Sequence, residues 1–295
     1  LEAGGYRFRS GSDCEVILAL YERYGDGLLG HLRGMFAFAL WDTRRRRLLA
    51  ARDHLGQKPF YYATVQGGLA FASEIKGLLA CSPTLRAMDL AALDQYLALR
   101  LVAAPLSMFE RIRKLPPGHK LVLEDGAEPV VQAYWDLAYE PKWHGKVDAL
   151  VDELEACVEE ALRLHLVSDV PIGAFLSGGI DSSAVVALMA GQSTQPVNTY
   201  SIGYGGSATS EYFNELEYAG QVARLFKTNH HEIVVAPDVA VDENLLNRWI
   251  VAAELERCRF VLVANKSDLP GFPALVARLA QFTHGELAAR PAPAR

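Results

Sequence analysis

The most constraining feature of this sequence is an abrupt change from a strand pattern to a helix pattern across two glycines. The apolar run Val170–Leu176 is followed at once by Ser-Gly-Gly-Ile-Asp-Ser-Ser, residues 177–183, and then by the helix-forming run AVVALMA. Glycine lets the backbone of such a turn approach a ligand closely. A strand, a glycine-rich turn and a helix in this order predict an anion site at the helix N-terminus.

The residue types in this turn suit a phosphate group. The free N–H groups of the first helical turn and the helix dipole favour negative charge, and Ser177, Ser182 and Ser183 add hydroxyl donors. Asp181 would repel phosphate, so we expect it to cap the helix or to help hold Mg²⁺. The turn has no lysine and does not match GxxxxGK[ST], which argues against γ-phosphoryl transfer. A small-residue turn without a ligand is the alternative.

The flanking segments predict a parallel α/β sheet. Asn198–Tyr204 is a second strand candidate, a helix is expected around Leu216–Phe226, and His230–Val235 is a third strand candidate. Alternating strands and helices indicate parallel pairing with right-handed crossovers. The adjacent histidines 230 and 231 would point to opposite faces of a strand, so we do not expect them to chelate one metal ion.

The N-terminal part predicts hairpins followed by a helix. The runs Gly34–Asp42 and Leu48–Asp53 flank a polar turn of four arginines, and Phe60–Ser73 contains two strand patterns around a Gly-Gly pair. Asp89–Leu101 predicts a helix capped by its first residue. The segment Pro141–Val147 is the candidate linker to a long amphipathic helix.

Composition limits the classes of function. Hydrophobic residues make up 51% of the 295 residues and charged residues 22%, which excludes global disorder, and the length suits about two domains. The net charge of −6 disfavours binding to nucleic acid or to an acidic membrane. No apolar run approaches the roughly 20 residues that span a bilayer. The four widely spaced cysteines predict reduced thiols, so we expect a cytoplasmic protein.

With these residues identified, the chain resembles the glutamine-hydrolysing asparagine synthetases over roughly residues 6–238. VPIGAFLSGGIDSSAVVALMA is similar to the pyrophosphatase loop of that family, and NTYSIGY and RLFKTNHHEIVV resemble its next two strands. GSDCEVIL, LRGMFAFALWD, ARDHLGQKPFYY and FASEIKGLL resemble the second half of its N-terminal-nucleophile glutaminase domain.

The resemblance implies a two-domain protein of the α/β and α+β classes. Residues 1–138 would form a glutaminase (type 2 amidotransferase) domain, a partial N-terminal-nucleophile αββα sandwich that lacks its N-terminal part. Residues 145–240 would form the ATP-pyrophosphatase domain, a partial parallel-sheet fold of the adenine-nucleotide hydrolase-like (PP-loop) type that lacks its C-terminal part. Missing edge strands would expose apolar surface.

The implied activity is that of an ATP-dependent carbon–nitrogen ligase, asparagine synthase. ATP would adenylate the aspartate side chain, and ammonia from glutamine would give asparagine, AMP and pyrophosphate. The cofactors would be ATP and Mg²⁺, and the partners small molecules, with a homodimer left open. Two alternatives are a related amidotransferase that acts on another carboxylate and a non-catalytic nucleotide-binding fragment.

The resemblance also assigns site residues. ATP binding falls on Leu176, Ser177, Gly178, Gly179, Asp181, Ser182 and Ile202. Leu176 and Ile202 match the adenosine end, and Asp181 is a candidate Mg²⁺ ligand. Asp13 matches the carboxylate that pairs with the α-amino group of glutamine, although a helix N-cap is the alternative from its position alone.

Two departures from the family affect these expectations. The family's nucleophile is an N-terminal cysteine, whereas this sequence starts with Leu1 and its first cysteine, Cys14, lies inside a matched block. We therefore assign no catalytic nucleophile and expect no glutamine hydrolysis by these residues. After about Ala240 the family's second glycine-rich motif is also absent.

Residues 241–295 form an unassigned tail in which the strand pattern FVLVA precedes Asn-Lys-Ser-Asp. This tail resembles circularly permuted GTPases of ribosome assembly, so Asn265, Lys266 and Asp268 are candidate guanine-binding residues. We hypothesise that residues 1–240 and the tail come from two unrelated coding sequences that were joined near Asp238–Asp242. The remaining functional alternative is a GTP-binding module in which the tail supplies the guanine-binding residues.

Overall fold

The structure is a computed structural model that describes residues 1–142, 144–168, 170–204, 215–235 and 259–261. It divides into two compact units, Leu1–Trp143 and His144–Arg295. Both units mix helices and strands, and the described residues form two sheets in the first unit and one in the second. The prediction of two mixed α/β units is confirmed at this level.

The first unit begins with a helix and continues mainly as antiparallel strands. Its helices are α1 (Asp13–Tyr24), α2 (Ile75–Cys81) and α3 (Leu90–Leu99). Its strands are β1 (Ala37–Asp42), β2 (Arg47–Arg52), β3 (Tyr61–Val65), β4 (Gly68–Ala72), β5 (Arg113–Lys114), β6 (His119–Glu124) and β7 (Val130–Ala133). Both predicted hairpins are confirmed, as β1–β2 and β3–β4.

The two sheets of this unit pack face to face. They have the strand orders β1-β2-β6-β7 and β4-β3-β5. Leu48 and Ala50 of β2 belong to a core cluster against which Tyr62 and Leu69 of the other sheet pack. The opposite face of β2 packs with residues of α1, and a third cluster joins α2 to the other sheet. The layers are therefore helix, sheet, sheet, helix.

A partly buried ion cluster connects the turn after α1 to the first sheet. Arg47 donates from both terminal nitrogens to the Asp26 carboxylate at 2.7 and 2.8 Å, and Lys120 Nζ donates to the same carboxylate at 2.7 Å. These hydrogen bonds, led by those from Arg47, lower the pKa of Asp26 to about 2.

Two helices of this unit, α1 and α3, begin at a side-chain cap. Asp89 caps α3 as predicted, because its carboxylate accepts from the amides of Ala91 and Ala92 at 3.0 Å. The alternative of Asp13 as an N-cap is wrong. Ser12 is the N-cap of α1, and its hydroxyl accepts from the amide of Cys14 at 3.2 Å.

The second unit is a parallel sheet covered by helices. Its helices are α4 (Val147–His165), α5 (Ile180–Gln192) and α6 (Leu216–Phe226). Its strands are β8 (Ile172–Phe175), β9 (Asn198–Tyr204), β10 (Asn229–Val235) and β11 (Arg259–Val261). The order is β10-β9-β8-β11 and every pairing is parallel, so the predicted parallel sheet is confirmed.

The core of this unit lies on the face of β8 that carries Ala174 and Leu176. Residues of α4, α5 and α6 pack there in one cluster. From α4 only Leu162 is buried in it, whereas Leu150 and Leu154 nearer the start of the helix are exposed. Among the described residues, no helix is both long enough and apolar enough to cross a bilayer.

Candidate functional site

The glycine-rich turn lies at the carboxyl end of β8. The amide of Leu176 still donates to the Tyr200 carbonyl of β9 at 2.9 Å, and the chain then leaves the sheet. Helix α5 starts at Ile180, with Gly179 as its N-cap. Only three residues therefore separate the sheet from the helix. Ligands of open α/β sheets bind at this edge, beyond the carboxyl ends of the strands.

Gly178 is required by the conformation of the turn and by its neighbours. Its φ is +78°, a left-handed value that disfavours residues with a Cβ. A Cβ at this position would lie 2.5 Å from Cβ of Tyr218 and 2.6 Å from the amide nitrogen of Ala219. The turn is thus seated against the first turn of α6.

Gly179 differs from Gly178 in both respects. Its φ of −70° is an ordinary value, and a Cβ would meet only the Ser177 hydroxyl, at 3.3 Å. Gly179 is exposed at the start of α5. The protein itself does not demand a glycine here, and the missing side chain leaves the surface of the turn open.

Two serine hydroxyls organise the turn from inside. The Ser177 and Ser182 hydroxyl oxygens lie 2.9 Å apart. The amide of Ser177 donates to Ser182 Oγ, and the amide of Gly179 donates to Ser177 Oγ, both at the long distance of 3.3 Å. The two ends of the turn are therefore joined by a small network of hydroxyl groups.

The first turn of α5 has open backbone donors. The first intrahelical hydrogen bond runs from the amide of Ser183 to the Gly179 carbonyl at 3.0 Å. Within the part of the chain that the structure describes, the amides of Ile180, Asp181 and Ser182 have no acceptor, and no side chain caps this helix. These N–H groups, together with the helix dipole, form an arrangement that suits an anion.

Asp181 does not cap the helix, so that part of its prediction is wrong. It lies exposed in the first turn of α5, and the N-cap is Gly179. In the described ranges, no group of three or more His, Cys, Asp or Glu side chains could hold a metal ion. Mg²⁺ bound with nucleotides takes one or two carboxylates plus phosphate oxygens, and a lone Asp181 beside the open amides fits that donor set.

The structure brings together all seven residues assigned to ATP. Leu176 is buried at the end of β8, the turn follows it, and Ile202 is half-buried on the neighbouring strand β9. The hydroxyl of Ser183, expected to add a donor, is buried and has no hydrogen-bond partner among the described residues. Asp13 lies in the other unit, exposed in the first turn of α1. Asn265, Lys266 and Asp268 lie outside the described residues.

The sequence did not indicate two contributors to this site. The hydroxyl of Ser201, on β9, donates to the carbonyl of Leu176. The backbone of α6 at Tyr218 and Ala219 supports Gly178. Neither contact has a local sequence signal, because both join residues more than 20 positions apart.

The two histidines on β10 point to opposite faces of the strand, as predicted. His230 Nδ1 lies 2.9 Å from Thr199 Oγ1, and its Nε2 lies 3.3 Å from the Glu232 carboxylate. Burial lowers the pKa of His230 below its usual value. His231 points to the other face, where its ring stacks on Tyr200 with the centroids 5.0 Å apart.

Two family models match consecutive parts of this chain. The model described as a glutamine amidotransferase domain matches residues 1–135, and the model described as asparagine synthase matches residues 153–280. The second match continues past residue 240 and so covers much of the tail that resembled GTPases.

Curated relatives match most of the chain. Glutamine-hydrolysing asparagine synthetase 1 of Bacillus subtilis is 33% identical over 82% of this chain, and asparagine synthetase 3 of that organism is 35% identical over 82%. An amidase of Penicillium rubens is 38% identical over 64% of this chain. The chain spans 37%, 41% and 28% of the lengths of these relatives, respectively.

Proposed function

Because this chain belongs to the family of glutamine-hydrolysing asparagine synthetases, we propose that the turn after β8 binds the phosphate groups of ATP. The ATP adenylates the side-chain carboxylate of aspartate. Ammonia from glutamine then displaces AMP, so that the products are asparagine, AMP and pyrophosphate. The second unit is the ATP-pyrophosphatase domain of this ligase, with a PP-loop fold.

The observation that carries the proposal is the uncapped start of α5. Three amides, those of Ile180, Asp181 and Ser182, have no acceptor among the described residues and follow the strand directly. Negative charge accumulates on pyrophosphate as it leaves the α-phosphate during adenylation. Fixed backbone donors stabilise such developing charge without having to reorganise.

The other assigned residues have places consistent with this role. Leu176 directly follows β8 and Ile202 lies on the neighbouring strand β9, so both stand at the sheet edge where the adenosine part would lie. Asp181 would hold Mg²⁺, which neutralises the phosphate oxygens. Ser177 and Ser182 would turn their hydroxyl groups from each other to the anion.

The first unit corresponds to the glutaminase part of the family, and its helix–sheet–sheet–helix layers suit an N-terminal-nucleophile sandwich. We propose domain limits of 1–138 and 145–240. Asp13, exposed at the start of α1, would pair with the α-amino group of glutamine. No residue of this chain is assigned as the nucleophile.

A second candidate function is amidation of a carboxylate other than aspartate. It is raised by the amidase of Penicillium rubens, a relative that is not named as an asparagine synthetase and is 38% identical over 64% of this chain. Labelled pyrophosphate that exchanges into ATP only with aspartate present supports asparagine synthesis. Exchange that needs another carboxylate supports the second candidate.

Titration calorimetry of the full chain with ATP and with GTP, each with Mg²⁺, tests nucleotide binding. We expect ATP to bind, and Gly179→Trp to abolish binding because the indole would cover the open amides. Gly191→Trp is the matched control, since Gly191 is exposed near the other end of α5 with nothing within 4 Å of its Cβ position. Binding of GTP alone, or loss of ATP binding in both variants, would overturn the proposal.

A further inference from the structure

Leu176, the last residue before the glycine-rich turn, has both of its backbone groups bound to β9, but in different ways. Its amide donates to the backbone carbonyl of Tyr200, as in a regular parallel ladder. Its carbonyl accepts from the side-chain hydroxyl of Ser201. Ser201 is 5% exposed and Leu176 is 2% exposed, so this hydrogen bond is shielded from water.

The hydroxyl of Ser201 takes a place that a backbone amide would take if the ladder continued. Alternate residues of a strand direct their amides to the same side, so Ile202, like Tyr200, faces β8. Extension of the ladder would join the Ile202 amide to the Leu176 carbonyl. Among the described residues this bond is absent, and the Ser201 hydroxyl binds the carbonyl instead.

This contact sets the direction of the first amide of the turn. The carbonyl of Leu176 and the N–H of Ser177 belong to one planar trans peptide, in which they point in opposite directions. Holding the carbonyl toward β9 therefore directs the Ser177 N–H away from β9. It meets Ser182 Oγ there, at 3.3 Å.

We propose that Ser201 is a positioning residue for the phosphate-binding turn. It acts through the Leu176–Ser177 peptide and does not itself contact the ligand. The inference rests on the proposed function for the identity of the ligand, a pyrophosphate group. Without the hydroxyl, the Leu176 carbonyl would turn to the Ile202 amide, and the plane of the Leu176–Ser177 peptide would rotate. The Ser177 amide would then no longer point at Ser182 Oγ.

Thr199 provides a matched control on the same strand. It lies two residues before Ser201, on the same face of β9, and it is fully buried. Its hydroxyl contacts Thr228 at 2.8 Å and His230 at 2.9 Å, and neither residue belongs to the turn. Removal of either hydroxyl disturbs the core of the same sheet, but only that of Ser201 acts on the turn.

The test compares Ser201→Thr with Ser201→Val in the full chain, because these side chains have the same shape and differ in the hydroxyl. The probe is inorganic pyrophosphate with Mg²⁺, measured by calorimetry. We expect Ser201→Thr to bind like the wild type and Ser201→Val to bind about tenfold more weakly, the effect of one oriented hydrogen bond. Thr199→Val should bind like the wild type. Equal affinities for the two position-201 variants, or an equal loss in Thr199→Val, would overturn the inference.

Hydrogen exchange without ligand separates this inference from the proposed function. In Ser201→Val we expect the amides of Ser177 and Gly179 to exchange about tenfold faster than in Ser201→Thr. Unchanged exchange would overturn the role of Ser201 even if pyrophosphate binds. If no variant and no wild-type protein binds pyrophosphate, the proposed function fails, and this exchange comparison alone decides the inference. Ser201→Ala replaces Ser201→Val should the added methyl groups prevent folding.

Discussion

The turn after β2 and the turn after β8 both leave the end of a strand, yet they use their polar groups in opposite ways. In the first, charged side chains bind backbone groups of the turn itself. Arg52 donates to the carbonyls of Gly56 at 2.5 Å, Lys58 at 2.7 Å and Leu115 at 2.7 Å. Its guanidinium is thus surrounded by backbone oxygens.

Asp53 completes this arrangement from the other side. Its carboxylate is fully buried and accepts from the amides of Phe36 at 3.3 Å, Gln57 at 2.9 Å and Lys58 at 2.9 Å. Donors and acceptors of the same short turn are therefore both satisfied within the protein. A buried backbone group without a partner would be costly, which explains why two charges are kept there.

The turn after β8 is organised by hydroxyl groups and leaves three amides of α5 without an acceptor among the described residues. These unpaired amides cost little free energy, because the start of the helix is exposed and water can solvate them. The turn after β2 therefore pairs its own polar groups, whereas the turn after β8 keeps exposed donors open.

The largest effect is expected from Asp53→Ala. It removes the buried carboxylate that accepts from three backbone amides, so we expect the free energy of unfolding to fall by about 3–4 kcal/mol. Urea denaturation of the full chain measures it. Asp125→Ala is the control, because Asp125 is exposed and, among the described residues, pairs with exposed Arg46, and it should cause no measurable loss. Equal losses in the two variants would contradict the structural role of the first turn.

The next effect concerns the two glycines of the second turn. Gly178→Ala places a Cβ against the backbone of α6 at a φ of +78°, so we expect a loss of about 2 kcal/mol in unfolding free energy. Gly179→Ala should lose less than about 1 kcal/mol, because its φ is ordinary and it lies at an N-cap. The pair is compared by urea denaturation. A larger loss for Gly179→Ala would show that Gly178 is not held against the backbone of α6.

Acid should weaken the charge-stabilised unit before it affects the hydroxyl network. The pKa of Asp26 is lowered from 3.8 to about 2, so its ion cluster contributes stability above pH 3.8 that is lost as the pH falls toward 2. Since Asp26 is partly exposed, we expect a contribution of about 1–2 kcal/mol. Denaturation of wild type and Asp26→Asn across this range measures it. An unchanged pH slope in Asp26→Asn would contradict the assignment.

The smallest effect compares a capped helix with an open one. Asp89→Ala removes the acceptor of two amides at the start of α3, and we expect a loss of about 1 kcal/mol. Asp94→Ala, in the middle of the same helix, should change the stability by less than about 0.5 kcal/mol. Thermal or urea denaturation distinguishes the two. If Asp89→Ala proved neutral, the side-chain cap of α3 would not account for any difference in stability from the open start of α5.

Much of the fold could be predicted because its signals are local. Strand Asn198–Tyr204 and helix Leu216–Phe226 have the predicted bounds, and Asp89 caps its helix as its position suggested. Alternation, helical spacing and turn residues act over a few positions and are present in the sequence itself. The error at Asp13 is also local, since Ser12, one residue earlier, suits the same role.

The sequence by itself determined that a glycine-rich turn joins a strand to a helix in a parallel sheet, and through resemblance it named the residues of that turn. Only the tertiary structure decided which of its amides stay open, that α6 lies against Gly178, and that Ser201 holds the Leu176 carbonyl. The physical reason is range. Backbone preferences act between neighbours, whereas the partner of a particular donor or carbonyl depends on which distant segments the packed sheet brings together.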